Sequence, residues 1–240
     1  RDEGIDLEEI AVLYRAHYQA MELQMELTNR GIPFNITSGL RFFEQAHIKD
    51  VAAFMKLAVN RKDEVAFKRI ARMLPGIGVV SASKLWSEWL KSPIVKSDNP
   101  PDSFSDHLEK FKVPSKSRNT WIQFGYTMDE MARDGELVSP REMISSVLGG
   151  VYDDYMRSKF TNYDNRIQDL EQLKRYSEQF EDTAEFLSQL ALSSGVEGEP
   201  TRNNEREDKS EAVTLSSVHQ AKGLEWRAVF VIWLTDGMFP

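Results

Sequence analysis

The chain has 240 residues, of which 41% are hydrophobic and 28% are charged. This composition is ordinary for a folded protein and excludes wholesale disorder, and the length allows one large domain or two modest ones. Cysteine is absent, which excludes a disulfide scaffold, a thiolate metal site and a cysteine nucleophile. The net charge of −8 argues mildly against a generic nucleic-acid binder, although a basic face can lie on an acidic protein.

Neither a metal site nor a membrane segment is predicted. The four histidines lie far apart, without the spacing of metal ligands: His17, His47, His107 and His219. The longest apolar run, Ala228–Leu234, is far too short to span a bilayer. No basic leader typical of secretion is present, so we expect a cytoplasmic protein. The chain begins without Met, and we expect it to be part of something longer.

A strand, a helix and a second strand are predicted near the start of the chain. Glu9–Arg15 is a short apolar run with β-favouring residues, which predicts a buried strand. His17–Asn29 has a helical rhythm, and Pro33–Thr37 has the pattern of a second strand. Together they predict a β-α-β unit with parallel pairing.

Beyond Ser38-Gly39 the apolar period becomes helical. Trp86 and Trp89 are expected in a core, and Asp164 and Thr183 are expected to cap the last two helices. The predicted helices are Ile48–Val59, Val65–Leu74, Ser81–Leu90, Phe104–Phe111, Asn119–Arg133, Pro140–Lys159, Asn165–Phe180 and Ala184–Leu192.

An acidic, almost apolar-free segment, Gly195–Glu211, is predicted to be a mobile linker. After it, Ala212–Val218 and Ala228–Leu234 are two further buried-strand candidates. Strands therefore lie at both ends and helices fill the middle. The economical fold is an α/β domain with a parallel sheet into which a large, mostly α domain is inserted.

Polar residues follow the first of these C-terminal strands. Ser217 and His219 come at its end, a Lys222-Gly223 turn follows, and Glu225 precedes the next strand. Strand carboxyl ends are where open α/β sheets bind ligands. The alternative at this point is that His219 caps a core and Glu225 is merely solvated.

This segment resembles the T-x-H-x-x-K-G-L-E-[FW] motif of superfamily 1 DNA helicases of the UvrD/PcrA/Rep type, with Ser217 in place of Thr. Four more segments resemble that family in the same order, and the match after Glu225 continues to Gly237-Met238-Phe239-Pro240. The four are Leu13-Tyr14-Arg15 with Gln19, Gly39–Glu44 with Ile48-Lys49-Asp50, Gly76-Ile77-Gly78, and Arg166–Leu173.

The resemblance implies a partial RecA-like 2A domain at residues 1–37 and 212–240, with an inserted helical 2B domain at 38–211. It implies part of an ATP-dependent 3′→5′ DNA helicase that translocates on single-stranded DNA and unwinds duplex. The expected cofactors of the full-length protein are ATP and Mg²⁺. The expected partners are DNA, an N-terminal RecA-like domain of the same chain, and repair or replication proteins.

Three groups of site residues follow from the resemblance. The expected single-strand contacts are Arg15, His17, Ser217 and His219. The expected nucleotide contacts are Lys222, Gly223 and Glu225, the last through the ribose. The expected duplex contacts are Gly76, Ile77, Gly78 and Lys84.

Ordinary alternatives exist for each group. Arg15 could be a salt-bridged surface residue, and the glycines could form a simple turn between helices. The excess of bases over acids in Arg61–Lys91 could be a solvated helix face rather than a phosphate-binding footprint.

The sequence also departs from the family pattern. His17 stands where the family usually has Asn, Met21 where it has Arg, and His47 where it has Glu. No G-x-x-x-x-G-K-[ST] loop and no Walker B acid is found, so these 240 residues alone are expected to be catalytically inert. The alternatives are a non-catalytic helical adaptor that docks proteins, or part of a RecB/AddA-type helicase-nuclease.

Overall fold

The computed structural model describes residues 4–37, 41–96, 103–133, 135–195 and 211–236. Ser38-Gly39, almost all of the predicted linker 195–211, and Gly237–Pro240 lie outside these residues. The chain divides into two compact units. One comprises Arg1–Gln45 with Leu190–Pro240, and the other comprises Ala46–Gln189. We call them the sheet unit and the helical unit.

The sheet unit is built on four parallel strands in the order β2-β3-β1-β4. The strands are β1 (Ile10–Tyr14), β2 (Phe34–Ile36), β3 (Val213–Ser217) and β4 (Ala228–Val231). Helix α1 (Met21–Asn29) follows β1 after a short 3-10 turn over His17–Ala20. The parallel α/β class expected from the sequence is therefore confirmed.

The strand order differs from that of a simple β-α-β unit, in which the two strands would be neighbours. Strands β1 and β2 run parallel but do not pair with each other, because β3 lies between them. Ala11 of β1 is opposite Thr214, and Phe34 of β2 is opposite Val213. β3 is almost wholly buried, which explains its central position. The core around it comprises Val12, Tyr14, Ala20, Phe34, Val213 and Leu215.

A 3-10 turn over Phe42–Glu44 belongs to the sheet unit. The backbone N–H of Phe42 donates to Oε1 of Gln24 on α1 at 3.0 Å, and Phe42 and Phe43 are both buried. This packing places the unit boundary at Gln45/Ala46, whereas the sequence pattern predicts it at residues 37/38.

In the part of it that the structure describes, the helical unit is α-helical apart from short 3-10 and π-turns and a hairpin of two antiparallel two-residue strands. Its aromatic core is centred on Phe67, whose ring lies 5.0 Å from that of Trp89 and 5.3 Å from that of Trp86. Both tryptophans are buried, as expected. The helices are α2 (Ala46–Val59), α3 (Glu64–Ala71), α4 (Val79–Trp89), α5 (Pro93–Lys96), α6 (Phe104–Leu108), α7 (Arg118–Met131), α8 (Pro140–Val147), α9 (Asp153–Lys159), α10 (Tyr163–Ser177) and α11 (Thr183–Gly195), which continues past the unit boundary.

Several predicted helices are shorter than expected, and two of them have a local cause. The segment Pro140–Lys159 is interrupted by a π-turn at Leu148–Tyr152, where Gly150 leaves the helical region with φ −96° and ψ −132°. Adjacent glycines make this interruption inexpensive. The helix predicted to end at Arg133 ends instead at Met131, because Ala132 and Arg133 pair with residues 136–137 in a short hairpin.

The predicted helix caps were wrong by one or two residues. α10 begins at Tyr163, so Asp164 lies inside its first turn, where its charge is favourable to the helix dipole. α11 begins at Thr183, and the cap is Asp182, whose Oδ1 accepts from the backbone N–H of Glu185 at 2.8 Å.

Candidate functional sites

The ends of β1 and β3 meet at the carboxyl edge of the sheet. Tyr14 is opposite Ser217, and the backbone N–H of Val218 donates to the carbonyl of Tyr14 at 2.9 Å. Because the strands are parallel, the two segments that follow them leave from the same edge. The structure therefore brings the predicted single-strand residues to one edge: Arg15, His17, Ser217 and His219.

A single buried glutamine shapes the segment after β1. Oε1 of Gln19 accepts from the backbone N–H groups of Arg15 at 2.9 Å and Ala16 at 3.0 Å. The carbonyl of Gln19 in turn accepts from Nε1 of Trp233 at 3.0 Å. Gln19 is buried, and its Nε2 has no hydrogen-bond partner among the described residues. This one side chain fixes the direction in which the chain leaves the strand, and with it the exposed position of Arg15.

Tyr14 lies beneath this turn as a neutral, apolar support. Burial raises the pKa of Tyr14 to about 12. Its ring lies 5.9 Å from that of His17, at an interplanar angle of 59°. The half-buried His17 is therefore held against an aromatic ring and keeps one side towards solvent.

The segment after β3 is a compact turn. The backbone N–H groups of Gln220 and Ala221 both donate to the carbonyl of Ser217 at 3.0 Å. The Ser217 hydroxyl donates to Oε1 of Gln220 at 3.2 Å, and it accepts from the N–H of Gln220 at 3.4 Å. Ser217 is buried, so the hydroxyl that the sequence assigns to DNA also organises this turn.

Three ionisable side chains project from the turn into solvent. His219, Lys222 and Glu225 are all exposed, and none has a hydrogen-bond or ion-pair partner in the part of the chain that the structure describes. His219 does not cap a core. Gly223 has φ +85°, and a Cβ there would meet no atom within 4 Å. The residues that the sequence assigns to the nucleotide, Lys222, Gly223 and Glu225, are thus all exposed to solvent.

The predicted duplex contact lies in the helical unit, between α3 and α4. Gly76 has φ +78°, a conformation that favours glycine, and the N–H of Ile77 donates to the carbonyl of Leu74 at 3.2 Å. Ile77 is buried and anchors the turn. Gly78 is the N-cap of α4 and has no side-chain capping bond, and a Cβ there would meet nothing within 4 Å. The turn presents backbone, not side chains, to its surroundings.

The bases around this turn divide into two groups. Arg69 is held by Asp50, with Nε and Oδ1 2.6 Å apart, and Lys68 pairs with Glu64 at 2.5 Å. Asp50 also accepts from the hydroxyl of Tyr152 at 2.9 Å, so Arg69 belongs to a network that ties helices together. Within the described residues the exposed bases Lys62, Arg72, Lys84 and Lys91 have no ion-pair partner. Lys84 therefore remains available.

One polar cluster was not predicted from the sequence. Nδ1 of the buried His47 lies 2.5 Å from Nη1 of Arg166, and its Nε2 lies 3.0 Å from Oδ2 of Asp169. Arginine can only donate, so Nδ1 accepts and Nε2 carries the hydrogen that Asp169 accepts. His47 thus joins α2 to α10 at a position where the similar family usually has Glu. Met21, the other departure of this kind, is buried.

The described ranges contain no group of three or more His, Cys, Asp or Glu side chains that could hold a metal ion. In the same ranges no helix has both the length and the apolar character needed to cross a bilayer.

The parallel sheet with polar segments at its carboxyl edge, combined with a helical insertion, defines a RecA-like α/β domain of the 2A type. The chain belongs to the UvrD-like helicase C-terminal domain family, whose model matches residues 1–240.

The chain is also similar to curated proteins that are named as DNA helicases. The chain is 26% identical to the ATP-dependent DNA helicase PcrA of Bacillus subtilis over 246 residues, covering 98% of this chain and 32% of the relative. It is 27% identical to DNA helicase II of Escherichia coli over 260 residues, covering 100% of this chain and 34% of the relative. The chain therefore spans about a third of the length of these relatives.

Replacing Gln19 by Leu removes the acceptor for two backbone N–H groups while keeping a similar volume. The two N–H groups are partly buried, and an unsatisfied buried donor costs about 1–3 kcal/mol, so the turn after β1 should open locally. We expect the amides of Arg15 and Ala16 to lose hydrogen-exchange protection, measured by NMR. Gln220→Leu is the matched control, because Gln220 contacts only the other turn. Unchanged protection in Gln19→Leu would contradict the role of this side chain.

Proposed function

We propose that this chain is the DNA-binding and nucleotide-coupling part of an ATP-dependent DNA helicase that moves 3′→5′ on single-stranded DNA and unwinds duplex. The observation that carries the proposal is the carboxyl edge of the sheet, where two polar segments leave side by side, in a chain that matches a helicase family along its whole length. The names of the similar proteins support DNA as the substrate and ATP as the source of energy.

Single-stranded DNA is assigned to the carboxyl edge. His219 is exposed and can donate to a phosphate oxygen, and His17 keeps one side towards solvent. Arg15 adds an exposed guanidinium, which suits phosphate or a stacked base. Ser217 contributes through the turn that positions His219. These contacts are to the sugar-phosphate backbone and carry no base sequence preference.

The nucleotide is assigned to the second half of the same turn. The exposed carboxylate of Glu225 can accept from both ribose hydroxyls, and a Cβ built on Gly223 would meet no atom within 4 Å, which leaves open space at that residue. Lys222 places a positive charge next to that space. These residues fit the sugar side of ATP. The free energy comes from hydrolysis of the bond between its β- and γ-phosphates. Since the described residues contain no metal-ligand cluster, no Mg²⁺ contact is assigned to this chain.

Duplex DNA is assigned to the turn at Gly76–Gly78. Its open backbone and the exposed Lys84 can approach a phosphate closely, since neither glycine carries a side chain. We assign the sheet unit to the 2A domain and the helical unit to the 2B domain. The P-loop of the complete motor would come from an N-terminal RecA-like domain, and repair or replication proteins would be its partners in the cytoplasm.

Replacing His219 by Ala should weaken binding of a single-stranded oligonucleotide. Loss of one hydrogen bond to a charged phosphate is worth about 1.5–3 kcal/mol, so the Kd should rise by about 10-fold or more. Fluorescence anisotropy with oligo-dT at fixed salt measures this change. His107→Ala, in the helical unit, is the control and should leave the Kd unchanged. Equal Kd values for His219→Ala and the unsubstituted chain would contradict the single-strand assignment.

The 240-residue chain should not turn over ATP by itself. The phosphate-cradling loop that supplies most phosphate contacts is absent from these residues. A coupled ATPase assay with and without single-stranded DNA tests this. A rate that survives repurification, and that disappears in Glu225→Ala, would show that the catalytic parts are complete here and would overturn this part of the proposal.

Two substitutions test the duplex turn. Lys84→Glu should weaken binding of blunt duplex and lower the salt dependence of log Kd by about one unit, because one phosphate contact is lost. Gly78→Ala adds a methyl group that meets no atom of the described residues. Weaker duplex binding by this variant would therefore mean that the DNA approaches the backbone at Gly78 closely. Lys56→Glu, an exposed lysine on α2, is the matched charge control. Identical binding in Lys84→Glu and Lys56→Glu would mean that the element is only a turn.

A further inference from the structure

A second basic segment lies against the glycine turn. The connection between α6 and α7 begins with Glu109, and the residues after it, Lys110–Arg118, contain four basic residues and no acidic residue, in a chain whose net charge is −8. A Cβ built on Gly76 would lie 3.8 Å from Cβ of Lys116 and 3.8 Å from Cβ of Pro114. The connection and the turn therefore form one continuous surface, although about 40 residues separate them along the chain.

The connection is firmly anchored from within. Arg118 donates to the carbonyl of Glu109 at 2.7 Å and to that of Phe111 at 3.2 Å. Phe111 is buried, and its ring lies 5.7 Å from that of Trp121. Nε1 of Trp121 donates to the carbonyl of Leu108 at 3.0 Å, and the N–H of Ser117 donates to that of Pro114 at 2.9 Å. The Arg118 guanidinium is thus occupied by hydrogen bonds within the protein, and these contacts hold the backbone of the segment in one conformation.

The three lysines of the segment are not used in this way. Lys110, Lys112 and Lys116 are exposed, and within the described ranges none forms an ion pair or side-chain hydrogen bond. Lys110, Lys112 and Lys116 place three like charges in seven residues, and only Glu109 adjoins them along the chain as an acid. The repulsion among the lysines raises the free energy of the unliganded protein. An anionic ligand removes that repulsion. A lysine ammonium is a point charge that suits a phosphate oxygen and does not read base edges.

We propose that Lys112 and Lys116, with Lys110 at the margin, extend the duplex-binding surface of the Gly76–Gly78 turn to further phosphates of the DNA backbone. This inference rests on the proposed duplex binding by the helical unit. The backbone of the turn would contact one phosphate of the DNA. The lysine side chains of the neighbouring connection would contact the phosphates that follow it. The ligand class is double-stranded DNA, bound through its backbone and without sequence preference.

The test compares two double variants of the chain that remove the same charge. Lys112→Gln with Lys116→Gln should weaken binding of a blunt duplex at least about 5-fold at low salt. It should also lower the salt dependence of log Kd by about 2, since each phosphate contact contributes about 0.9. Lys49→Gln with Lys56→Gln removes two exposed lysines of α2 and should change neither quantity. Glutamine keeps the size and polarity, and the positions are exposed, so folding should be preserved.

The outcomes separate this inference from the duplex assignment itself. If Lys84→Glu weakens binding but the Lys112/Lys116 variant behaves as the α2 control, the inference is wrong and the turn alone binds duplex. If the Lys112/Lys116 variant weakens binding while Lys84→Glu does not, the basic connection is the site and the assignment of Lys84 is wrong. If both double variants weaken binding equally, the effect is bulk charge and the inference is wrong.

A second measurement locates the contact directly. Brief acetylation of lysines in the presence of duplex, read by mass spectrometry, should protect Lys112 and Lys116 at least about 3-fold and leave Lys49 and Lys56 unprotected. Protection by an acidic peptide that equals protection by duplex would identify a protein-binding surface instead, and would overturn the inference.

Discussion

The pairing of β3 with two strands at once is the constraint on which the sheet unit depends. β3 runs from Val213 to Ser217 and forms ladders with both β1 and β2, which come from the opposite end of the chain. Its register fixes Tyr14 beside Ser217, and that single pair determines where the two polar segments leave the sheet. A shift of one residue would turn the buried side chains of β3 to the opposite face, so the register is strongly specified.

The two DNA-binding surfaces proposed here use different physical means. At the sheet edge, buried side chains hold the backbone and exposed side chains are presented: Gln19 holds the segment that carries Arg15, and Ser217 holds the turn that carries His219. In the helical unit the backbone itself is presented, at Gly76 and Gly78, and the positive charge lies beside it. Net charge is a poor guide to either surface. The chain is acidic as a whole, but its bases and acids are unevenly placed, and phosphate responds to the local arrangement.

The strands and most helices could be predicted because short apolar runs and helical periodicity are local properties of the sequence. The predicted burial of the last run, Ala228–Leu234, was wrong, because β4 ends at Val231 and its side chains are largely exposed. The position of β3 between β1 and β2 could not, since strand order depends on burial across the whole sheet. The charge pattern in Arg61–Lys91 indicated a basic surface, but only the structure shows that Arg69 is occupied by Asp50. The contact between Gly76 and the Lys110–Arg118 segment is likewise a product of tertiary packing. The family motif found the carboxyl-edge residues, and it gave no sign of the hydrogen bond between Ser217 and Gln220.

The strand order also determines when the sheet can form during synthesis. β1 and β2 leave the ribosome early, yet neither can pair with the other, because the place between them belongs to β3. At roughly 5–20 residues per second, the chain between β2 and β3 takes on the order of ten seconds or more to be made. The helical unit is a continuous stretch, Ala46–Gln189, and is complete before β3 is made. For that interval β1 and β2 lack the strand that pairs with both of them in the folded sheet, and their unpaired backbone groups are open to other pairing.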